Sequence, residues 1–138
     1  MKAKLKKILK KYGVKAVYIF GSFVKGKKTP LSDIDIGVVF EDIRTKNKDP
    51  TKVFADIYYA LKESLNIKNQ RLDLVYLQEA PFGLQMDVIK NGKILFSLDD
   101  NFRTDYEDWV MMKYLDWKYE DDMYNKEMVE AIGVKNGK

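Results

Sequence analysis

Between Asp33 and Phe40 the sequence alternates. Asp33, Asp35 and Gly37 fall on one face, and Ile34, Ile36 and Val38 on the other. A period of two over that length reads as a β-strand with one core face. Asp33 and Asp35 then project from the same face, about 7 Å apart. Two carboxylates that close repel and resist ionising together unless a cation lies between them. The rest of the chain must therefore build a sheet around this strand and bring something cationic beside it.

The flanking sequence predicts the sheet. Leu5, Ile8, Leu9 and Tyr12 fall at i, i+3, i+4 and i+7, an amphipathic helix that Gly13 can cap. Ala16–Phe20 reads as a strand ending at Gly21-Ser22, and residues 23–32 are rich in turn formers. Residues 41–48 are a polar connection. Asp49-Pro50 suits the N-cap and first residue of a helix in which Val53, Ile57, Leu61 and Leu65 recur. Arg71–Leu77 is a third strand, Phe82–Lys90 a helix stopping at Asn91-Gly92, and Lys93–Leu98 a fourth strand. From Asn101 to about Ala131 the pattern is helical, as one helix or two, with Val110, Tyr114 and Trp117 on a stripe. The order α-β-β-α-β-α-β-α predicts an α/β (α+β) fold, a mixed sheet of about four strands with helices packed on it. The expected organisation is a single domain over residues 1–138, with a core in 1–98 and a helical tail in 99–138.

Composition narrows the chemistry. The chain has no cysteine and no histidine. That excludes disulfides, thiolate zinc sites, cysteine nucleophiles and histidine-based triads. Any metal must sit on oxygen ligands, which points to Mg²⁺, Mn²⁺ or Ca²⁺. The net charge of +4 is uneven: residues 1–32 hold ten lysines and no acid, whereas residues 99–130 hold eleven acids and four bases. A basic head suits an anionic partner such as a nucleotide or RNA, although Lys4–Lys11 also reads as a solvated helix face. No apolar run approaches membrane-spanning length and the N-terminus lacks a signal-peptide core, so a cytoplasmic protein with no membrane partner is expected.

The informative segment is Gly21-Ser22, ten residues, then Asp33-Ile34-Asp35. With 14 Asp in the chain, an Asp-x-Asp alone means little. In combination each part sits where it is needed. Gly21-Ser22 closes a strand, where backbone N–H groups and a hydroxyl can hold phosphate oxygens. Lys25, Lys27 and Lys28 follow and could neutralise a polyphosphate. A third carboxylate, Asp73, stands mid-strand in Arg71-Leu72-Asp73-Leu74-Val75, either paired with Arg71 or a backbone group or serving beside Asp33 and Asp35. Three carboxylates, no histidine and a phosphate cradle describe phosphoryl or nucleotidyl transfer.

The segment Gly21–Ile36 resembles the signature of the polymerase-β-like nucleotidyltransferases. It is most similar to the minimal nucleotidyltransferases, including the MntA-type antitoxins of HEPN/MNT toxin–antitoxin pairs. The likeness is dense over residues 13–40 and continues through the Asp73 strand. It implies the polymerase-β-like fold with a long C-terminal helix. It implies that Asp33 and Asp35 bind two Mg²⁺ ions, with Mn²⁺ as a substitute, that Asp73 helps hold one of them, and that Gly21 and Ser22 hold the nucleotide's terminal phosphates. The reaction implied is transfer of AMP from ATP, or another nucleotide from its triphosphate, onto a hydroxyl, with a tyrosine of a partner HEPN ribonuclease toxin as acceptor.

Two other readings stay open. One is the same chemistry on a small-molecule hydroxyl, for which relatives usually carry a larger C-terminal domain. The other is a non-catalytic antitoxin that masks its partner, which would not need three carboxylates. Direct nucleic-acid binding is not expected, because no RNA-binding module is recognisable and Tyr12, Tyr18 and Phe20 are at core spacing. A homo-oligomer is allowed. Tyr106, Trp109, Tyr114, Trp117 and Tyr119 are more aromatic surface than one core stripe needs, so the acidic C-terminal helix is the expected partner contact.

Overall fold

Each predicted element forms in the computed structural model, which describes residues 2–24, 26, 33–67 and 70–133. The helices are α1 (Ala3–Lys11), α2 (Pro50–Ser64), α3 (Phe82–Asn91) and α4 (Asp100–Ala131). The strands are β1 (Val14–Phe20), β2 (Ile34–Phe40), β3 (Leu72–Tyr76) and β4 (Lys93–Ser97). Short 3₁₀ turns cover Gly21–Phe23, Ile43–Asn47 and Leu77–Glu79. The second of these lies in what the sequence shows only as a polar connection. Lys25, Lys27 and Lys28 lie outside the described residues.

The sheet order is β3-β2-β1-β4. β1 runs antiparallel to both β2 and β4, and β2 runs parallel to β3. Parallel neighbours need a crossover, and α2 supplies it. Its start is fixed as the sequence predicts: Asp49 accepts a hydrogen bond from the Lys52 N–H, and Pro50 opens the helix.

The helices cover both faces, not one. On the first face α1 and α2 pack Leu5, Leu9, Val53, Ile57 and Leu61 against Val14, Val17, Ile34, Ile36 and Val38. On the second, α3 and α4 bring Val88, Tyr106 and Val110 against Ala16, Tyr18, Val39 and Leu77. The strand read as having one core face is therefore buried on both sides for most of its length, and its carboxylate face is open only at its start. Gly37 shows why: a Cβ there would press within 2.9 Å of the Leu77 side chain, so only glycine lets Leu77 seat over the strand.

α4 is one helix of 32 residues. Its cap is Asp99, which accepts from the Phe102 N–H at 3.0 Å. It begins at the sheet end remote from Asp33, where the Leu98 N–H donates to the Lys15 carbonyl and Lys15 pairs with Asp99. Tyr106 is buried, a correction to its expected place on the partner surface. Its hydroxyl donates to Gln85 Oε1 at 2.7 Å, and Gln85 Nε2 donates to the Ala80 carbonyl at 2.7 Å. Trp109 and Trp117 are exposed by 41% and 48%, so neither covers the sheet. Among the described residues no helix is long and apolar enough to cross a membrane.

Candidate active site

Strand register brings the motif together. Antiparallel pairing sets Asp35 opposite Phe20, the last residue of β1, and parallel pairing sets it opposite Asp73 of β3. Residues directly opposite share a face, so Phe20, Asp35 and Asp73 stand side by side across three strands, about 4.8 Å apart per step. Asp33 lies just before β2 and is exposed, as is Asp73. Asp35, between them, is partly buried.

The chain leaves β1 through Gly21 directly over Asp35. Gly21 has φ +81°, in the left-handed region, and a Cβ on it would collide with the Asp35 carboxylate. Both facts require glycine. The turn continues through Ser22, which is exposed, and the Val24 N–H closes it on the Gly21 carbonyl at 3.2 Å. The spacing Gly-Ser, ten residues, Asp-x-Asp is thus a contact in three dimensions: the backbone of the first pair rests on the side chain of the second.

Electrostatics give the site its sign. Burial pushes the Asp35 carboxyl above its ordinary range, and the Asp73 and Asp33 carboxylates push it further. Among the described residues, no lysine or arginine forms an ion pair with Asp33, Asp35 or Asp73, so the alternative of Asp73 paired with Arg71 is not what forms. The carboxylates are lateral neighbours spread over two strands. No group of three His, Cys, Asp or Glu side chains among the described residues is a preformed metal cage.

Nothing in the residue pattern marks α3 as bordering the site. Its C-terminus turns at Gly92, where a Cβ would lie 3.0 Å from the Ile19 carbonyl and 3.3 Å from Phe20 Cβ. Asn91 and Gly92 therefore abut the end of β1 next to Gly21. Tyr114 of α4 lines a hollow with Lys90 and Asn91 at that same end. The only sequence signal for this was Asn91-Gly92 as a helix stop, which says where α3 ends and not what it meets.

Comparison with known proteins shows the family and the fold. The family model described as "Polymerase beta, Nucleotidyltransferase" matches residues 3–101. A protein of Methanocaldococcus jannaschii provisionally named a protein adenylyltransferase is 55% identical over 92 residues, 66% of this chain and 72% of that protein. In fold, the chain is similar to one in a toxin–antitoxin crystal structure with AMP-PNP, with TM-score 0.61 and 22% identity over 91% of this chain and 96% of that one. It is also similar to a chain in a Shewanella oneidensis complex of an MNT antitoxin with a tri-AMPylated HEPN toxin, with TM-score 0.57 and 21% identity over 91% and 93% of the two chains. The carboxylate row, the glycine resting on it and the matched residues lead to one conclusion: the chain belongs to the polymerase-beta nucleotidyltransferase family.

Proposed function

We propose that this protein transfers AMP from ATP to a tyrosine hydroxyl of a partner HEPN toxin and so acts as its antitoxin. The observation that carries the chemistry is Gly21 seated on Asp35, which joins a backbone turn able to hold phosphate to a row of three carboxylates. The identity to a provisionally named protein adenylyltransferase supports a protein acceptor. The antitoxin–toxin complexes that share the fold support the HEPN partner and an adenine nucleotide.

The donor set fits a divalent cation. Asp33, Asp35 and Asp73 offer only hard carboxylate oxygens, and the mutual repulsion that raises Asp35 is what a cation relieves. The lack of a preformed cage suits Mg²⁺, which is usually held by one or two carboxylates together with substrate phosphates. Asp33 and Asp35, with Asp73, would hold Mg²⁺ or Mn²⁺, and the bound ion supplies charge neutralisation for the triphosphate and the departing pyrophosphate.

The chain's own residues do the rest. The Gly21 turn would offer its backbone N–H groups and the exposed Ser22 hydroxyl to phosphate oxygens. The acceptor oxygen forms a bond to the α-phosphorus as the bond to the bridging oxygen breaks, and pyrophosphate leaves with that electron pair. The hydroxyl proton passes to Asp73, which is exposed beside Asp35 and free of an ion-pair partner among the described residues.

The test is to incubate the protein with ATP, Mg²⁺ and a HEPN-domain toxin from the same organism, then weigh the toxin. One or more AMP additions on tyrosine are expected. The Asp33→Asn/Asp35→Asn double variant should bind the partner and leave its mass unchanged. A dead variant that protects cells as well as the native protein would overturn the enzymatic reading in favour of masking.

A further inference from the structure

α4 outlasts the body it packs on. Its first half is tied to the sheet by the Lys15–Asp99 ion pair, the hydrogen bond from Tyr18 to Glu107 and the buried Tyr106 and Val110. From Leu115 to Gly133 every residue except Val129 is exposed. At 1.5 Å per residue, the stretch to Ala131 is an arm about 25 Å long. An isolated helix of that length is marginal in water.

The arm has a pattern without a purpose in the monomer. Tyr114, Trp117, Tyr124, Met128 and Ile132 continue, at spacings of three, seven, four and four, the same stripe that buries Tyr106 and Val110. Ring contact between Tyr114 and Trp117, with centroids 5.9 Å apart, joins the packed part of the stripe to the free part. Met112, Leu115, Tyr119 and Met123 make a second apolar stripe on the opposite side, and all four are exposed. A helix apolar on two sides fits a groove better than a flat surface. Over residues 115–131 six carboxylates stand against two lysines. Two such arms repel each other, and a basic groove attracts one.

Position gives the arm its meaning. α4 starts at the Lys15 end of the sheet and by Tyr114 has come level with Lys90 and Asn91, beside the end of β1 and the Gly21 turn. The arm therefore projects from the end of the molecule that carries Asp33, Asp35 and Asp73. Whatever it grips is held at that same end.

We infer that the distal half of α4 is the docking arm for the acceptor protein, entering a basic, apolar-lined groove on it and so presenting its hydroxyl at the catalytic end. This rests on the proposed transfer to a protein partner and adds how that partner is selected. The arm's contacts are the same in the bound complex and in the transition state, so their loss should raise KM and leave kcat unchanged.

The experiment uses the full chain with ATP, Mg²⁺ and the HEPN-domain toxin that it modifies, and measures AMP transfer against toxin concentration. Trp117→Glu/Tyr124→Glu alters only exposed positions, so the fold and ATP affinity should be unchanged. Its KM for the partner should rise at least about 30-fold with kcat within about twofold. Asp121→Lys/Asp122→Lys should raise KM several-fold at low salt and less at 0.5 M, because screening removes the attraction. Native-like KM in both variants overturns the docking arm while leaving the transfer reading intact. No transfer by the native protein overturns the reading itself. A native dimer in sedimentation that the aromatic variant converts to monomer, with transfer unaffected, assigns the arm to a second copy and also overturns the inference.

Discussion

The two faces of the sheet are built differently. Under α1 and α2 the core is mostly leucine, isoleucine and valine from two helices on three strands, with a hydrogen bond at its edge, from Tyr12 to Asp56. Under α3 and α4 the cluster is smaller and carries a buried polar chain, from Tyr106 through Gln85 to the Ala80 carbonyl, with Tyr18 donating to Glu107 at 2.6 Å beside it. Hydrocarbon contacts are non-directional and stabilise in proportion to area. Hydrogen bonds have direction, so the second face fixes how α4 is rotated and where it leaves the body. Burial, and then the bond to Glu107, push the Tyr18 phenol well above its ordinary range, so it remains a donor at any physiological pH. The first face holds the fold, and the second aims the carboxylates and the arm.

The largest test of that division is Asp35→Asn. It lies on the second face, where function and stability should oppose each other. Transfer should fall by at least about 10³-fold, because charge stabilisation at the reacting phosphate is lost. Thermal unfolding of the free protein should shift upward, since a carboxylate strained by burial and two like charges becomes neutral. A stabilised, dead variant sharpens the comparison. A destabilised one would show that Asp35 also holds the fold.

The first face should answer in kilocalories alone. Leu61 is fully buried between α2 and the sheet, and Leu61→Ala should cost about 2–5 kcal/mol in denaturant melts. ATP affinity of the folded fraction should be unchanged. Gly21→Ala crosses the two categories: the left-handed backbone alone costs about 1–2 kcal/mol for a residue with a Cβ. The collision must also displace either the turn or the Asp35 carboxylate, so on the proposed function nucleotide binding should be lost before the fold is. Tyr106→Phe is smaller again. It removes the donor to Gln85, at about 1 kcal/mol, with no cavity. If Tyr106→Phe costs more than Leu61→Ala, the second face is the stabilising one and the comparison is reversed.

Much of this was legible from residues. The alternation in Asp33–Phe40, the Asp49-Pro50 start and the Gly-Ser to Asp-x-Asp spacing each carry a local rule that packing did not override. The second core did not show, because Gly37 reads as a gap on the carboxylate face when it is the seat for Leu77. The turn at Ile43–Asn47 did not show, because a short 3₁₀ segment has too few residues for a period. The fate of the aromatics on α4 was half legible. The stripe Val110, Tyr114, Trp117 is plain in the sequence, but periodicity cannot say where a helix leaves the body. Tyr106 is therefore core and Trp117 is surface on one continuous pattern. Nor does spacing reveal that Asn91-Gly92 meets the end of β1, a contact between residues some seventy positions apart in sequence.

The smallest expected effect is a pH dependence, and it belongs to Asp35. Its folded carboxyl titrates above the ordinary range, so the folded state binds this proton more tightly than the unfolded chain does. Its contribution to stability is then fully present below the unfolded value, near 4, and is lost as pH rises through the higher folded value. Melting the metal-free protein from acid toward pH 7 should therefore show a modest decline that Asp35→Asn lacks. That difference, native minus variant, isolates Asp35 from the other carboxylates. Asp42, held down to about 2 chiefly by the Arg44 side chain, slopes the opposite way in both proteins and cancels. ATP with Mg²⁺ should flatten the decline in the native protein, because a bound cation reverses the repulsion that raised Asp35. Identical pH profiles for native protein and variant would mean that the carboxylate beneath Gly21 is not under strain, and that the second face stores no instability for a ligand to relieve.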